Sequence, residues 1–347
     1  MRGESKKKIG LNAVTYLGYA YTGATVAGLV LKEFSGITVP RFKSEFRLIR
    51  ERGGLLDLER AIFTRDPEII GLAVRDFKWL CDRFAEDRGI FSRAGFGYDC
   101  DTGGQFSRLA SEFIQNLSSF DYRIAWHYHD FEDFWPRVIA RRFIKKAFLS
   151  RNFGAKNTSM VTCSHDAFYH AASEFLYLVL SEFATEHRGP QDEYIYLHKA
   201  VAPYSVRDIE HSRRFFNDLK LIVVDRDPRD TFAQVLMSGK GRYLNASDDA
   251  TALATSFIQQ YNFQRAEIRD VKALDYVLFL NFEDFCLQYD HVLDKMCRFL
   301  RLNEGDHVRR FTHFNPASSV KNVGIWKTLS GKFAKAAEII DKNINST

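Results

Sequence analysis

Short apolar runs that stop abruptly at polar residues alternate along this chain with longer segments whose apolar residues recur every three or four positions. "EYIYLH" at 193–198, "LKLIVVDRD" at 219–227 and "YVLFLNFEDF" at 276–285 are such runs, and residues 9–19 form another, rich in apolar and β-branched side chains. A strand that is apolar along its whole length must be covered on both faces, which is the condition of a parallel sheet. Between the runs, "SVRDIEHSRRFFNDL" supplies a crossover helix and "RDTFAQVLMS", after Pro228, a second. Further helices are expected over roughly 248–270 and in "DHVLDKMCRFLRL". The expected fold is therefore α/β, a central parallel sheet flanked by helices, with ligands taken outside the carboxyl ends of the strands.

From Arg41 to about residue 190 the helical period dominates: "RDFKWLCDRF", "QFSRLASEFIQNL", "FWPRVIARRFIKKAFL" and "DAFYHAASEFLYLVLSEFATEH" all space apolar residues three and four apart. This reads as a long, largely helical insertion, residues 41–190, within a single domain spanning 1–347, and as the part that would shape an acceptor pocket. With 347 residues, 46% of them apolar, the chain can bury a core of that size. A net charge of +5, from 49 basic and 44 acidic side chains, is too close to balance for a nucleic-acid partner and suits a small anionic ligand. The five cysteines are scattered and never form a Cys-x-x-Cys pair, so neither a disulfide framework nor a zinc site is indicated. Asn12, Thr15 and several glycines interrupt the apolar stretch near the N-terminus, which argues against a secretory signal or a transmembrane segment. A cytoplasmic protein, with peripheral membrane contact still compatible, is the expectation.

Two segments carry the chemistry. In "YAYTGATVAGLVLKEF", residues 19–34, a strand runs through a glycine turn into a helix beginning near Thr25, a geometry that aims backbone N–H groups and the helix dipole at an anion. A nucleoside-triphosphate loop would need Gly-Lys-Ser/Thr there, and this chain has Tyr21-Thr22-Gly23-Ala24-Thr25. In "VVDRDPRD", residues 223–230, a strand ends at Arg226, Pro228 sets the first helical turn and Asp230 is placed to brace it. A guanidinium at that point offers a fork matched to phosphate; the alternative is a surface arginine paired with Asp225 or Asp227.

The second segment resembles the 3′-phosphate-binding element of sulfotransferases that use 3′-phosphoadenosine 5′-phosphosulfate (PAPS), where a strand runs into Arg-x-Pro-x-Asp, matched by Arg226, Pro228 and Asp230. "YTGATVAG" is similar to that family's 5′-phosphosulfate turn, "EYIYLH" to the strand ending in its catalytic histidine, "LNFEDF" with "VLDKMCRFLRL" to a strand and helix, and "NVGIWKTL" to the Gly-x-Trp-Lys stretch that closes over the nucleotide. The resemblance covers residues 12–34 and 193–329 and implies a divergent member with the P-loop-like sulfotransferase fold, of a bacterial polysaccharide-modifying kind. It implies PAPS as donor, adenosine 3′,5′-bisphosphate (PAP) as product, and a carbohydrate or glycolipid acceptor. By the same resemblance Tyr21, Thr22, Gly23, Ala24, Thr25, Arg226, Gln234, Trp326 and Lys327 contact the nucleotide, while His198 is the general base and Lys199 stabilises the leaving group.

Two departures stand out: the family's basic residue before the small residues of the turn is Tyr21 here, and the serine eight residues after the arginine is Gln234. The missing cation must come from elsewhere, with Lys199, Lys240 and Lys327 as candidates. Asp-x-Asp at 99–101 and again at 225–227 keeps a metal-dependent glycosyltransferase as the rival enzyme, and loss of the turn cation keeps a non-catalytic binding protein as a third reading. His127 and His129 in "WHYHDFED" would share one face of a strand, but no third ligand stands at metal-binding spacing, so no metal is expected.

Overall fold

The computed structural model describes residues 11–40, 45–87, 95–124, 136, 139, 156–184, 194–238, 249–268 and 274–344. Its strands are β1 (Asn12–Gly18), β2 (Ile37–Thr38), β3 (Ser118–Ile124), β4 (Lys156–Val161), β5 (Tyr194–Leu197), β6 (Asp218–Asp225) and β7 (Val277–Asn281). The chain forms two compact units, Leu48–Phe183 and the combination of Gly10–Arg47 with Ala184–Thr347.

The second of these holds a five-stranded sheet in the order β2-β5-β1-β6-β7, parallel at every pairing. Its central strands are buried from both sides: Ala13, Val14, Tyr16, Leu221, Ile222, Val223 and Val224 are all fully buried, which is why their sequences read as unbroken apolar runs. Against the face carrying Val14, Tyr16, Ile222 and Val224 pack the helix Thr25–Leu31 and the helices Phe282–Leu287 and Tyr289–Leu300, through Ala27, Leu31, Phe285, Met296 and Leu300. A separate cluster joins the helices Pro228–Met237, Ala250–Arg265 and Gly331–Ile344, with Phe232, Phe257 and Ile340 at its centre.

The first helix, Thr25–Leu31, stops three residues before Phe34, the end of the segment "YAYTGATVAGLVLKEF". It ends at Leu31 because the amides of Glu33 and Phe34 turn back onto Val30 and Leu31, a tightening that directs Glu33 inward. Glu33 is completely buried; one carboxylate oxygen accepts from the backbone amides of His313 and Phe314, the other lies 2.7 Å from His307 Nε2 and takes the Tyr289 hydroxyl. The link spans 280 residues of sequence and pins the segment after the last sheet helix to the first helix. Burial alone would push the Glu33 carboxyl up, but the amides of Phe314 and His313 and the His307 ring outweigh it and hold it below its ordinary value of 4.5.

Leu48–Phe183 is built from the helices Leu55–Thr64, Pro67–Ala85, Tyr98–Thr102, Gln105–Leu117 and His165–Phe183, packed through Phe77, Tyr98, Phe106, Phe113, Phe168 and Phe183. It also contains an antiparallel pair, β3 with β4, that helical periodicity did not foretell. His127, His129 and most of "FWPRVIARRFIKKAFL" lie outside the described residues. Among those described, no helix is long and apolar enough to cross a membrane.

The Glu33 cluster generates a pH-dependent prediction. Because its native pKa lies below the unfolded one, its contribution to stability is complete above the ordinary carboxylate range and is lost as pH falls through the lower native value. Glu33→Ala should cost about 3 kcal/mol or more at pH 7, by leaving buried donors unpaired. Urea-midpoint differences between the variant and the wild type should shrink as pH drops from 7 toward 3; a constant difference would show that the charge is not what stabilises.

Candidate functional site

The carboxyl ends of β5, β1, β6 and β7 lie side by side, in the register Thr15↔Leu197, Gly18↔Val224 and Asp225↔Asn281. Each therefore hands its next residues to one shared edge: His198 after β5, the turn 19–24 after β1, Arg226 after β6 and Phe282 after β7.

The turn after β1 is compact for steric reasons. At Gly18 an added Cβ would come within 2.3 Å of Ala24 Cβ, and at Gly23, whose φ is +75°, within 2.5 Å of the Phe282 ring. Only glycine fits that second position on both counts. Thr22 is fully buried and its amide and hydroxyl both donate to Tyr19 O, at 3.2 and 3.0 Å. The amides of Val26 and Ala27 are taken by Gly23 O and Ala24 O. Those of Gly23, Ala24 and Thr25 have no acceptor among the described residues, so the turn presents consecutive backbone donors.

Arg226 reaches this turn from the neighbouring strand. Its side chain is 3% exposed, its guanidinium lies 4.7 Å from the centre of the Phe282 ring, and the same ring lies against Gly23. Nη1 donates to Tyr21 O at 3.5 Å and Nη2 to Asn322 O, with the Asp230 carboxylate 3.8 Å away. Nε is buried and has no hydrogen-bond partner among the described residues. Burial lowers the guanidinium's pKa, while Asp230 and Glu283 act in the opposite direction. This is not a surface arginine paired with Asp225 or Asp227. Asp225 is instead held by Arg265 at 2.6 and 2.8 Å, and that guanidinium also stacks on Tyr19 and Tyr261. Asp227 caps the helix Pro228–Met237 through Arg229 N and forms an ion pair with Arg229. With both carboxylates of that Asp-x-Asp neutralised by arginine, the segment is a poor metal-ligand set; among the described residues no cluster of metal-ligating side chains occurs.

Asp230 is 1% exposed and accepts from Gly324 N at 2.7 Å and Trp326 N at 3.0 Å. It thereby fixes "GIW" beside the start of its own helix, and the Trp326 ring rests 4.5 Å from the Arg229 guanidinium. Glu283 completes the frame by accepting from Asp227 N, and burial pushes its carboxyl upward. Lys327 is exposed on the following turn, and Gln234 is half-buried one helical turn beyond Asp230, its side chain without a hydrogen bond among the described residues.

On the other side of β1, the His198 ring packs 5.3 Å from Tyr16, whose hydroxyl burial pushes up to about 12 so that it stays neutral. Lys199 adopts φ +51°, turning the chain out of the sheet, while Ala200 N donates to Thr15 Oγ1 and Phe46 N to His198 O. Lys199 Nζ forms an ion pair with Glu45 at 2.9 Å, and Glu45 also binds Arg47; burial opposes but these two cations prevail, bringing the Glu45 carboxyl down to about 2.

The structure thus brings Tyr21, Thr22, Gly23, Ala24, Thr25, Arg226 and Trp326 into one neighbourhood, with His198 on the adjacent strand end. Lys199 is engaged by Glu45, and Lys240 lies outside the described residues. Among the described cations, Arg226 reaches the turn's backbone at Tyr21 O and Arg265 stacks on the Tyr19 ring. Sequence reasoning did not anticipate Phe282, Arg265 or Asn322, since a ring between two loops and a carbonyl acceptor leave no spacing signal; Glu283 stood in "LNFEDF" without an assigned role.

No protein-family profile matches the chain, and no curated protein matches it in sequence. Among solved structures it is similar to the sulfotransferase domain of the Synechococcus PCC 7002 olefin synthase, at 12% identity and a TM-score of 0.43, covering 98% of each chain. It is also similar to the sulfotransferase domain from the curacin biosynthetic pathway (13% identity, TM-score 0.42, 95% of this chain and 98% of that one) and to a sulfotransferase from Alicyclobacillus acidocaldarius (12%, 0.37, 96% and 98%).

Asp230 generates the prediction here. Asp230→Ala should cost about 3 kcal/mol or more by stranding Arg226 and two amides. Amide hydrogen exchange should accelerate first at Gly324 and Trp326; protection unchanged at those two amides would show that Asp230 does not hold the segment.

Proposed function

We propose that this protein is a sulfotransferase that moves a sulfuryl group from PAPS to a hydroxyl of a carbohydrate acceptor. The observation that carries the reading is Arg226, a buried guanidinium that leaves the end of β6, touches the glycine turn after β1 and keeps one N–H unpartnered. An orphaned buried donor beside consecutive free amides suits a ligand with two separated anionic groups.

In this reading the amides of Gly23, Ala24 and Thr25 take the 5′-phosphosulfate, Arg226 takes the 3′-phosphate, and Trp326 and Lys327 cover the nucleotide with Gln234 alongside. Tyr21 replaces a basic residue of the turn, so the cation at the 5′-phosphosulfate comes from another loop, with Lys199 and Lys327 the candidates among the described residues. Sulfuryl transfer, like phosphoryl transfer, proceeds in line and gains most from positioning and from positive charge at the leaving phosphate. His198, on the next strand end, removes the acceptor hydroxyl proton. Lys199 assists the leaving group only after exchanging Glu45 for phosphate, so Glu45 holds it in reserve. The acceptor class is inferred from the aromatic sequence of residues 41–190, rich in Asp, His, Arg and Trp. Five free thiols support a reducing, cytoplasmic setting.

Thermal unfolding with and without PAP tests the donor site. At a PAP concentration of about one hundred times Kd, stability should rise by about 2.7 kcal/mol, with no requirement for a divalent metal. A shift only with a nucleotide sugar and metal would favour the glycosyltransferase, and no shift with either would favour a binding protein. By calorimetry on folded protein, Arg226→Ala should weaken PAP binding by about 1.5–3 kcal/mol. His198→Ala should leave that affinity unchanged and lower kcat by about two to four orders of magnitude; unaltered turnover would remove His198 as the base.

A further inference from the structure

The unit Leu48–Phe183 contains a cavity of about 300 Å³ to which nothing above assigns a role. One wall is the helix Pro67–Ala85 and the other is β4, from Asn157 to Ser159. Gly71 makes the two approach closely: an added Cβ there would stand 2.5 Å from Thr158 Cγ2. Beyond that contact the helix lines the cavity with one stripe, Arg75, Lys78, Trp79 and Asp82, at positions i, i+3, i+4 and i+7.

Trp79 is 59% exposed although its helix neighbours Phe77, Leu80 and Phe84 are buried; Ile69, in the first turn of the same helix, is also exposed. Its only described partner is the Arg83 guanidinium, 5.8 Å from the ring centre, and no described residue accepts from its indole N–H. An exposed indole in a concave wall is a free stacking surface, electron-rich on its face. Around it the chemistry is mixed: Lys78 reaches Ser159 Oγ at 3.5 Å, Arg75 is paired with Asp76, and Asp82 offers a carboxylate with no described partner.

We propose that this cavity is a glycan-binding subsite that takes a pyranose ring with its C–H face on Trp79 and its hydroxyls on the polar fringe. A sugar hydroxyl donates one hydrogen bond and accepts two, so a fringe holding both acceptors (Asp82, Ser159) and donors (Lys78, Arg75, Asn157) satisfies it. A nucleotide would also stack on the indole, but a phosphate only accepts hydrogen bonds and would leave Asp82 without a donor, whereas sugar hydroxyls serve acceptors and donors alike, which favours a sugar. The volume lies at the lower end for small-ligand pockets and suits one or two rings. Binding here stands independently of the transfer reaction; only its use as the acceptor's anchor rests on that reading.

Saturation-transfer NMR on the full chain, with a panel of neutral hexose trisaccharides, one uronic-acid trisaccharide and adenosine monophosphate, tests the subsite. Saturation should pass to the ring C–H protons of at least one trisaccharide. Trp79→Ala should raise its Kd by about tenfold or more, Trp79→Phe should largely retain binding, and Asp82→Asn should weaken it. Preference for the uronic-acid probe that disappears at high salt would identify Lys78 and Arg75 as its partners, and salt-insensitive binding of a neutral probe would identify Asp82; both support the proposal. Absence of transfer to every sugar, transfer unchanged in both Trp79→Ala and Asp82→Asn, or Trp79-dependent transfer to the nucleotide alone would overturn it. Thermal unfolding of each variant, with and without PAP, accompanies the titration. Sugar binding in a PAP-silent protein keeps the subsite and removes the sulfotransferase reading, and the reverse pattern does the opposite.

Discussion

A single buried ion pair organises the ligand-facing edge of the sheet. Arg226 and Asp230 lie one helical turn apart, 3% and 1% exposed at their side chains, and each spends its hydrogen-bonding capacity on backbone of a different segment. Arg226 holds Tyr21 O and Asn322 O, and Asp230 holds the amides of Gly324 and Trp326. Removing two charges from water is costly, and here it is offset chiefly by these hydrogen bonds, since 3.8 Å is long for direct contact. The consequence is mutual dependence: the turn after β1, the end of β6 and the segment 322–326 keep their places because of one another.

The same device recurs around that edge with other partners. Arg265 locks Asp225 and clamps Tyr19, Glu283 receives Asp227 N, and Glu33 secures the segment 307–314 far from the turn. Glu283 and Glu33 satisfy backbone donors that a loop cannot satisfy within itself, and Arg265 neutralises a carboxylate while covering a loop ring. Loops framed in this way are rigid enough to present orphaned groups, such as Arg226 Nε and the amides of Gly23, Ala24 and Thr25, without collapsing onto them.

Much of the fold was legible because apolar runs report burial directly. β1, β5, β6 and β7 and the crossover helix Val206–Arg213 stand where the runs and periodicities put them. The two-residue β2 was too short to leave a pattern. β3 and β4 carry polar and exposed residues, so nothing in "SSFDYRI" or "KNTSMV" distinguishes a strand from a loop. At the candidate site the glycine turn and Arg226 were legible from residue type and order. The Lys199–Glu45 pair was not, because it joins residues 154 positions apart.

By itself the sequence determined that β1, β5, β6 and β7 are strands, that they must be covered on both faces, and that a glycine turn leads from β1 into a helix. These follow from local periodicity and sterics, which act over a few residues. Only the tertiary structure decided that Arg226 is buried rather than solvent-facing, that Asp225 and Asp227 are consumed by Arg265 and Arg229, and that Asp230 holds a segment 94 residues away. Those outcomes depend on which side chains meet across the sheet edge, and in a low-dielectric setting the choice of partner, not the residue type, fixes what a charge can do.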